Sequence, residues 1–250
     1  MSKLMGGALV LQAGACLLFA GTATAQDESA EAYVYSTYSV CDLAKQERAD
    51  EIFGQVDKGV FDAAVADKSI AGYGYYAHHT GGNWRRVQYF TAPSIDALLA
   101  AQKQTGDAID SKNKKLNEEA AGICGRHDDY IWLRQAGKAG SAAPGGYGFS
   151  TYYVCDSREK QADAIVAQLE APVLDKLVAD GKLKTWGWLE HIVGGKFRRL
   201  ATMTAPDLKS LMAARAELVA AVEDKPLGEQ FTDICDSHDD YIWEIKFSNP

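Results

Sequence analysis

The chain has 250 residues, with 26 basic against 34 acidic side chains and a net charge of −8. That acidity argues against nucleic acid or an anionic membrane surface as partner, and it favours solubility. Apolar residues make up 47% of the chain, enough for a packed core.

Residues 1–25 read as an export signal. Lys3 is their single charge, an apolar run spans 8–20, and Ala23-Thr24-Ala25 fits a small-residue cleavage site. The run is too short and too rich in Gly and Ala for a membrane anchor, and Cys16 sits inside it with apolar neighbours, which argues against a lipid-bearing cysteine. Cleavage removes Lys3, takes the net charge to −9 and leaves no membrane-spanning stretch. The mature protein is then expected in the periplasm or outside the cell.

An internal repeat organises the rest. Residues 35–42 (YSTYSVCD) recur at 149–156 (FSTYYVCD). The hairpin Tyr73-Gly74-Tyr75-Tyr76-Ala77-His78 with Trp84-Arg85-Arg86 recurs as Trp186-Gly187-Trp188-Leu189-Glu190-His191 with Phe197-Arg198-Arg199. Thr91-Ala92-Pro93 matches Thr204-Ala205-Pro206, and His127-Asp128-Asp129-Tyr130-Ile131-Trp132 matches His238-Asp239-Asp240-Tyr241-Ile242-Trp243. The pattern predicts two units of about 110 residues, a usual domain size, at 26–136 and 147–250. A Gly, Ala and Pro-rich linker at 137–146 joins them.

Each unit reads in the same order. A Tyr- and Val-rich strand opens it (32–40). Asp42 or Asp156 then stands where a helix N-cap belongs, Asp156 with Glu159 in a capping-box spacing. Two helices follow, at 43–56 with 60–67, and at 157–169 with 173–180, the second pair broken at Pro172. The hairpin strands come next, at 72–79 with 84–90 and at 185–191 with 197–203. Another helix is predicted over 94–109 or 207–223. A last strand is predicted over 129–134 or 240–246.

Four cysteines remain after the signal. The repeat matches Cys41 to Cys155 and Cys124 to Cys235, so the expected bonds are Cys41–Cys124 and Cys155–Cys235, one per unit. Each closes about 80 residues and is worth roughly 4.5 kcal/mol in the chain-entropy model. The competing metal–thiolate site lacks C-x-x-C spacing, and no metal site is expected.

The order β-α-β-β-α-β is that of a ferredoxin-like unit. Two such units in one chain resemble the dimeric α+β barrel superfamily, which includes small monooxygenases, muconolactone-isomerase-like enzymes and EthD-like proteins. The resemblance covers residues 31–250 and is architectural, since no catalytic motif of a named family is matched. It implies an α+β fold of two tandem ferredoxin-like units forming an intramolecular barrel, a monomer acting as a pseudo-dimer. The two sheets are expected to pack on each other, with a cavity at each helix-free face.

The functional candidates are polar residues held by both copies. His78 and His191 end a strand beside a glycine turn and are candidate bases. Arg86 and Arg199 are candidates for a carboxylate ligand, with Asp129 and Asp240 as alternative structural partners. Tyr75 and Trp188 are candidate pocket walls, although the aromatic set on these strands also suits plain core packing. His127 with Asp129, and His238 with Asp240, offer two ligands apiece, too few for a metal without a third. Phosphate-loop, dinucleotide, zinc-protease and nucleophile-elbow motifs are missing from the sequence, so no cofactor is expected. The leading expectation is an exported protein that binds a small apolar or carboxylate ligand. The alternatives are a cofactor-free monooxygenase- or isomerase-like enzyme and a structural or protein-binding envelope module.

Overall fold

The structure is a computed structural model that describes residues 32–140 and 142–249. The expected export signal lies outside the described residues. No helix among them is long and apolar enough to cross a membrane.

The first lobe runs β1 (Tyr33–Val40), α1 (Gln46–Gln55), α2 (Asp57–Ala66), β2 (Gly72–Gly81), β3 (Arg86–Ala92), α3 (Ile95–Lys112), α4 (Lys114–Ile123) and β4 (Arg126–Lys138). The second repeats the order. It runs β5 (Tyr147–Val154), α5 (Glu159–Ile165, continued by a π-helical turn Val166–Glu170), α6 (Ala171–Ala179), β6 (Thr185–Val193), β7 (Arg199–Ala205), α7 (Leu208–Val222), α8 (Pro226–Ile234) and β8 (Ser237–Asn249). The polar segments before Cys124 and Cys235 are helices, α4 and α8.

The helix starts are capped differently from expectation. Ser94 and Asp207 cap α3 and α7, accepting from the backbone N–H of Ala97 and Ser210. Asp42 and Asp156 do not cap. Their side chains accept from the N–H two residues on, at 2.9 and 2.8 Å, and close a turn. The helices start later, at Gln46 and Glu159, without a side-chain cap. Glu159 binds Arg198 and Arg199 instead of completing a capping box.

The last strands are longer than their sequence signal. Within a lobe, β4 pairs with β1 and β8 with β5, both antiparallel. Each strand then continues past its own sheet. β4 pairs with β6 and β8 with β2, with register shifts in both ladders. The eight strands therefore close into one barrel, β1-β3-β2-β8-β5-β7-β6-β4. The two sheets form the expected barrel by pairing along their edges, and the cavity expected at each helix-free face becomes one shared interior. Closure leaves no strand edge unpaired among the described residues.

Strand side chains alternate between two cores. On β1, Tyr33 and Tyr35 join the outer core under the first lobe's helices, with Phe53, Phe61, Tyr73 and Phe90. Val34 and Tyr38 point into the barrel. The interior near the hairpin turns is filled by Tyr38, Trp84, Tyr130, Trp132, Tyr152, Phe197, Tyr241 and Trp243. Tyr130 stacks on Trp132 at 4.9 Å and Tyr241 on Trp243 at 5.0 Å.

The disulfides are Cys41–Cys124 and Cys155–Cys235, one per lobe, closing loops of 83 and 80 residues. Each joins the end of the lobe's first strand to the start of its last.

Each glycine turn leans on the opposite lobe. A Cβ on Gly194 would lie 2.3 Å from the Tyr130 ring, and one on Gly81 would lie 2.9 Å from the Tyr241 ring. Both turns also hold φ near the left-handed side, +144° and +133°, which side chains rarely adopt. Gly181 is a control, with φ +74° and open space around it. Gly181→Ala is expected to lose about 1–3 kcal/mol from backbone strain alone. Gly194→Ala should lose clearly more in urea unfolding, because strain and the Tyr130 contact add. Equal losses would show that the contact contributes nothing.

Candidate functional site

The candidate His, Arg and Asp residues lie under the helices, at the seams between lobes and at the exposed starts of β4 and β8, and none of them is among the residues that line the barrel cavity. Arg86 and Arg199 point outward, under the helices. Arg199 is fully buried and grips Asp163 with two bonds, Nε–Oδ1 at 2.7 Å and Nη2–Oδ2 at 2.9 Å, while its Nη1 reaches Glu159 at 2.8 Å. Arg86 holds Asp50 in the same fork, with Nη2–Oδ2 at 2.9 Å, and donates to Gln46 at 2.9 Å. Tyr75 and Trp188 join the same clusters. The Tyr75 hydroxyl donates to Asp50 at 3.0 Å, and the Trp188 indole donates to Asp163 at 2.9 Å. Burial pulls the Asp163 carboxyl upward, but bonds from Arg199 and Trp188 hold it below the usual range. The partner carboxylates thus come from α1 and α5, not from Asp129 and Asp240. Asp129 accepts from Thr37 at 2.8 Å and lies 3.4 Å from His127; Asp240 lies 3.7 Å from His238. No group of three potential metal ligands occurs among the described residues.

His78 and His191 sit at the seams between lobes. His78 packs edge-on against Tyr241 and Trp243, and His191 against Tyr130 and Trp132. Arg85 donates to His78 Nδ1 and Arg198 to His191 Nδ1, each at 2.9 Å. A guanidinium only donates, so Nδ1 accepts and the ring proton sits on Nε2. The one lone pair that a base would use is occupied. Burial first, and then the neighbouring Arg, pushes both imidazoles below their ordinary pKa. The expectation of a catalytic base meets a neutral, bonded ring at a seam.

The barrel holds a cavity of about 440 Å³ at the end opposite the hairpin turns. Its wall includes Val34, Ser36, Tyr76, Val87 and Tyr89 from the first lobe, and Gly148, Ser150, Leu189, Leu200 and Thr202 from the second. The residues that line it include no Asp, Glu, His or Cys. They include two cations, Arg134 inside and Lys138 on an exposed stretch of β4. Arg134 Nε is shut off from water and lacks a hydrogen-bond partner. Burial lowers the Arg134 pKa, opposed only by the Tyr89 phenol. The Tyr76 and Tyr89 hydroxyls bond each other at 2.8 Å, and burial raises both phenols. The sequence reading missed Arg134, Tyr76 and Tyr89. In the second copy their positions hold Ile245, Leu189 and Thr202. The signal that could have found them was divergence between the copies, not agreement.

A smaller hollow of about 240 Å³ lies under the second lobe's helices, where Glu170, Tyr153, Arg215 and His238 meet.

Several solved structures share this architecture. A candidate monooxygenase from Lactobacillus acidophilus superposes with a TM-score of 0.60 at 7% identity, covering 87% of this chain and 95% of that one. One from Fusobacterium nucleatum gives 0.61 at 8%, covering 88% and 94%. A chlorite dismutase from Candidatus Nitrospira defluvii gives 0.53 at 10%, covering 88% and 92%. The chain has the dimeric α+β barrel fold. Identities this low carry the fold alone. No family model and no curated protein matches the sequence.

Two checks follow from these placements. Arg199→Met should destabilise the fold by about 3–5 kcal/mol, because it takes the forked partner from the buried Asp163 carboxylate under the helices. A loss under about 1 kcal/mol in urea unfolding would contradict a structural role.

The second check concerns Asp57 and Glu170, which occupy matched positions where paired helices meet. Burial, partly offset by Lys112, pushes Asp57 up to about 7. Burial, partly offset by Arg215, does the same to Glu170. A folded pKa above the unfolded one gives stability that is full in acid, below the ordinary carboxyl range, and is lost as pH rises through 7. Asp57→Asn with Glu170→Gln should therefore gain on wild type at pH 8 relative to pH 4. An equal difference at both pH values would contradict the shifts.

Proposed function

We propose that this protein binds a small, largely apolar molecule inside its barrel and works outside the cytoplasm. The observation that carries this reading is the interior cavity of about 440 Å³, within the range of small-molecule sites. Aromatic packing fills the barrel at the hairpin end and leaves the other end hollow. Aliphatic and aromatic side chains make up the larger part of the wall, with Ser, Thr, Asn, Arg and Lys side chains set among them. The two disulfides support an oxidising compartment, in line with the export signal read at residues 1–25. The neighbours' names describe chemistry on small molecules, which suits a barrel used as a small-molecule site.

Binding is favoured over catalysis by what the lining carries. It presents no carboxylate, imidazole or thiol to act as base or nucleophile. The two matched histidines have their acceptor nitrogen bonded to Arg.

Nile red, a neutral apolar dye, should brighten and shift blue on binding the wild-type protein. Gly148→Leu tests the location. A Cβ on Gly148 meets only ordinary contacts, the nearest at 3.7 Å from Tyr76, so a larger side chain enters the cavity without breaking the wall. The variant should melt no lower than wild type and lose most of the dye signal. Undiminished dye binding in Gly148→Leu would move the site elsewhere.

A further inference from the structure

The fold neutralises the two cations that it buries among the described residues. Arg86 and Arg199 each meet a carboxylate in a two-bonded fork. Arg134 does not. Among the described residues it forms no ion pair, its Nε has no partner, and no acid lines the cavity it enters. Arg134 is partly buried, and a guanidinium whose Nε is shut off from water with no counter-charge nearby is unfavourable; an anion at that point relieves the penalty. Guanidinium geometry suits a carboxylate in particular.

A second donor stands in the same wall. Tyr76 and Tyr89 hold two hydroxyl protons between them, and their mutual bond uses one. The other is free to point at a ligand oxygen. The backbone is shaped to seat this pair. Gly74 pairs with Tyr89 across the sheet, and a Cβ there would come within 2.4 Å of the Tyr89 ring. Leu189, Leu200, Val34 and Val87 leave most of the remaining wall apolar. Lys138 adds a second positive charge in a protein whose net charge is −8, so the cavity is a local positive region on an acidic molecule.

We propose that the barrel cavity takes an apolar monocarboxylate, its carboxylate paired with Arg134 and hydrogen-bonded by the Tyr76–Tyr89 phenol pair. The apolar body lies against Leu189 and Leu200. This rests on occupancy of the cavity as proposed above and adds the chemical class of the occupant. An alkyl or arylalkyl acid fits it; the corresponding amide, alcohol or amine lacks the charge.

The test is calorimetry on the full-length mature protein at pH 7. The probes are straight-chain acids of six to twelve carbons and 3-phenylpropionic acid, each beside its primary amide, with Nile red displacement as a second readout. The variants are Arg134→Ile, which installs the second copy's residue, Arg134→Gln, and Tyr89→Phe. At least one acid should bind wild type ten-fold or more tighter than its amide. Arg134→Ile and Arg134→Gln should abolish that preference while keeping Nile red, and Tyr89→Phe should weaken the acid several-fold. Arg134→Ile should melt no lower than wild type, since it removes an unpaired charge. Equal affinity for acid and amide, or Nile red that no acid displaces, overturns the carboxylate and leaves the cavity standing. Absence of Nile red and of every probe overturns the cavity reading itself. A lower melting point in both Arg134 variants, with acid preference retained, makes Arg134 a structural residue and overturns the assignment.

Discussion

The barrel depends on a reciprocal overlap. Each lobe's last strand extends beyond its own sheet and becomes the neighbour of the other lobe's hairpin, β4 beside β6 and β8 beside β2. The same join is made twice, so each residue in it is needed twice. Gly194 must be bare because Tyr130 of the other lobe lies beneath it, and Gly81 because Tyr241 does. His78 and His191 fill the space beside those tyrosines and the tryptophans two residues on. Arg85 and Arg198 each bond their own copy's His at Nδ1. The repeated aromatic, histidine, glycine and arginine pattern is thus accounted for by closure of the sheet, before any ligand is considered. The disulfides act at the same end. They tie the end of each lobe's first strand to the turn just before its last, which begins at Arg126 or Ser237.

Strand alternation then divides the labour between two faces. Outward residues meet helices, and there the fold places its buried ion pairs. Arg199 is enclosed with Asp163 and Glu159, and Arg86 with Asp50. Such clusters add little net stability over an apolar core, but breaking one member is costly. They also orient α1 and α5 over the sheet, because a forked guanidinium tolerates one approach direction. Inward residues meet each other across the barrel. At the hairpin end they are large enough to fill it; at the other end Gly148, Ser150 and Thr202 are small, and the interior stays open.

Much of this architecture was legible in the sequence. The doubling, the order of elements and the cysteine pairing follow from matched blocks such as YSTYSVCD and HDDYIW. Strand alternation implies that neighbouring residues serve opposite sides. It could not say which side holds helices, so Arg86 and Tyr75 were expected in a pocket when their partner, Asp50, waits on α1. The extra length of β4 and β8 was hidden because Gln135 to Lys138 carries no strand signal of its own; those residues pair only because the other lobe supplies β6. Asp156 with Glu159 matched a capping box by spacing. Glu159 was drawn instead to two guanidinium groups, a stronger attraction than one backbone N–H.

The deeper reason that Arg134, Tyr76 and Tyr89 carry no signal in the repeat lies in the symmetry of a doubled chain. A feature of the framework occurs once per lobe, so both copies must keep it. The barrel interior occurs once per molecule and is shared by both lobes. A group that meets its contents is needed from one copy only, and the matching position in the other is free to become part of the opposite wall. Tyr76 and Tyr89 face such a case in Leu189 and Thr202, and the position of Arg134 holds Ile245, a buried residue of the barrel interior. Agreement between the halves therefore points to what holds the barrel shut. Disagreement at inward positions, above all a charge set against a hydrocarbon, points to what the barrel is for.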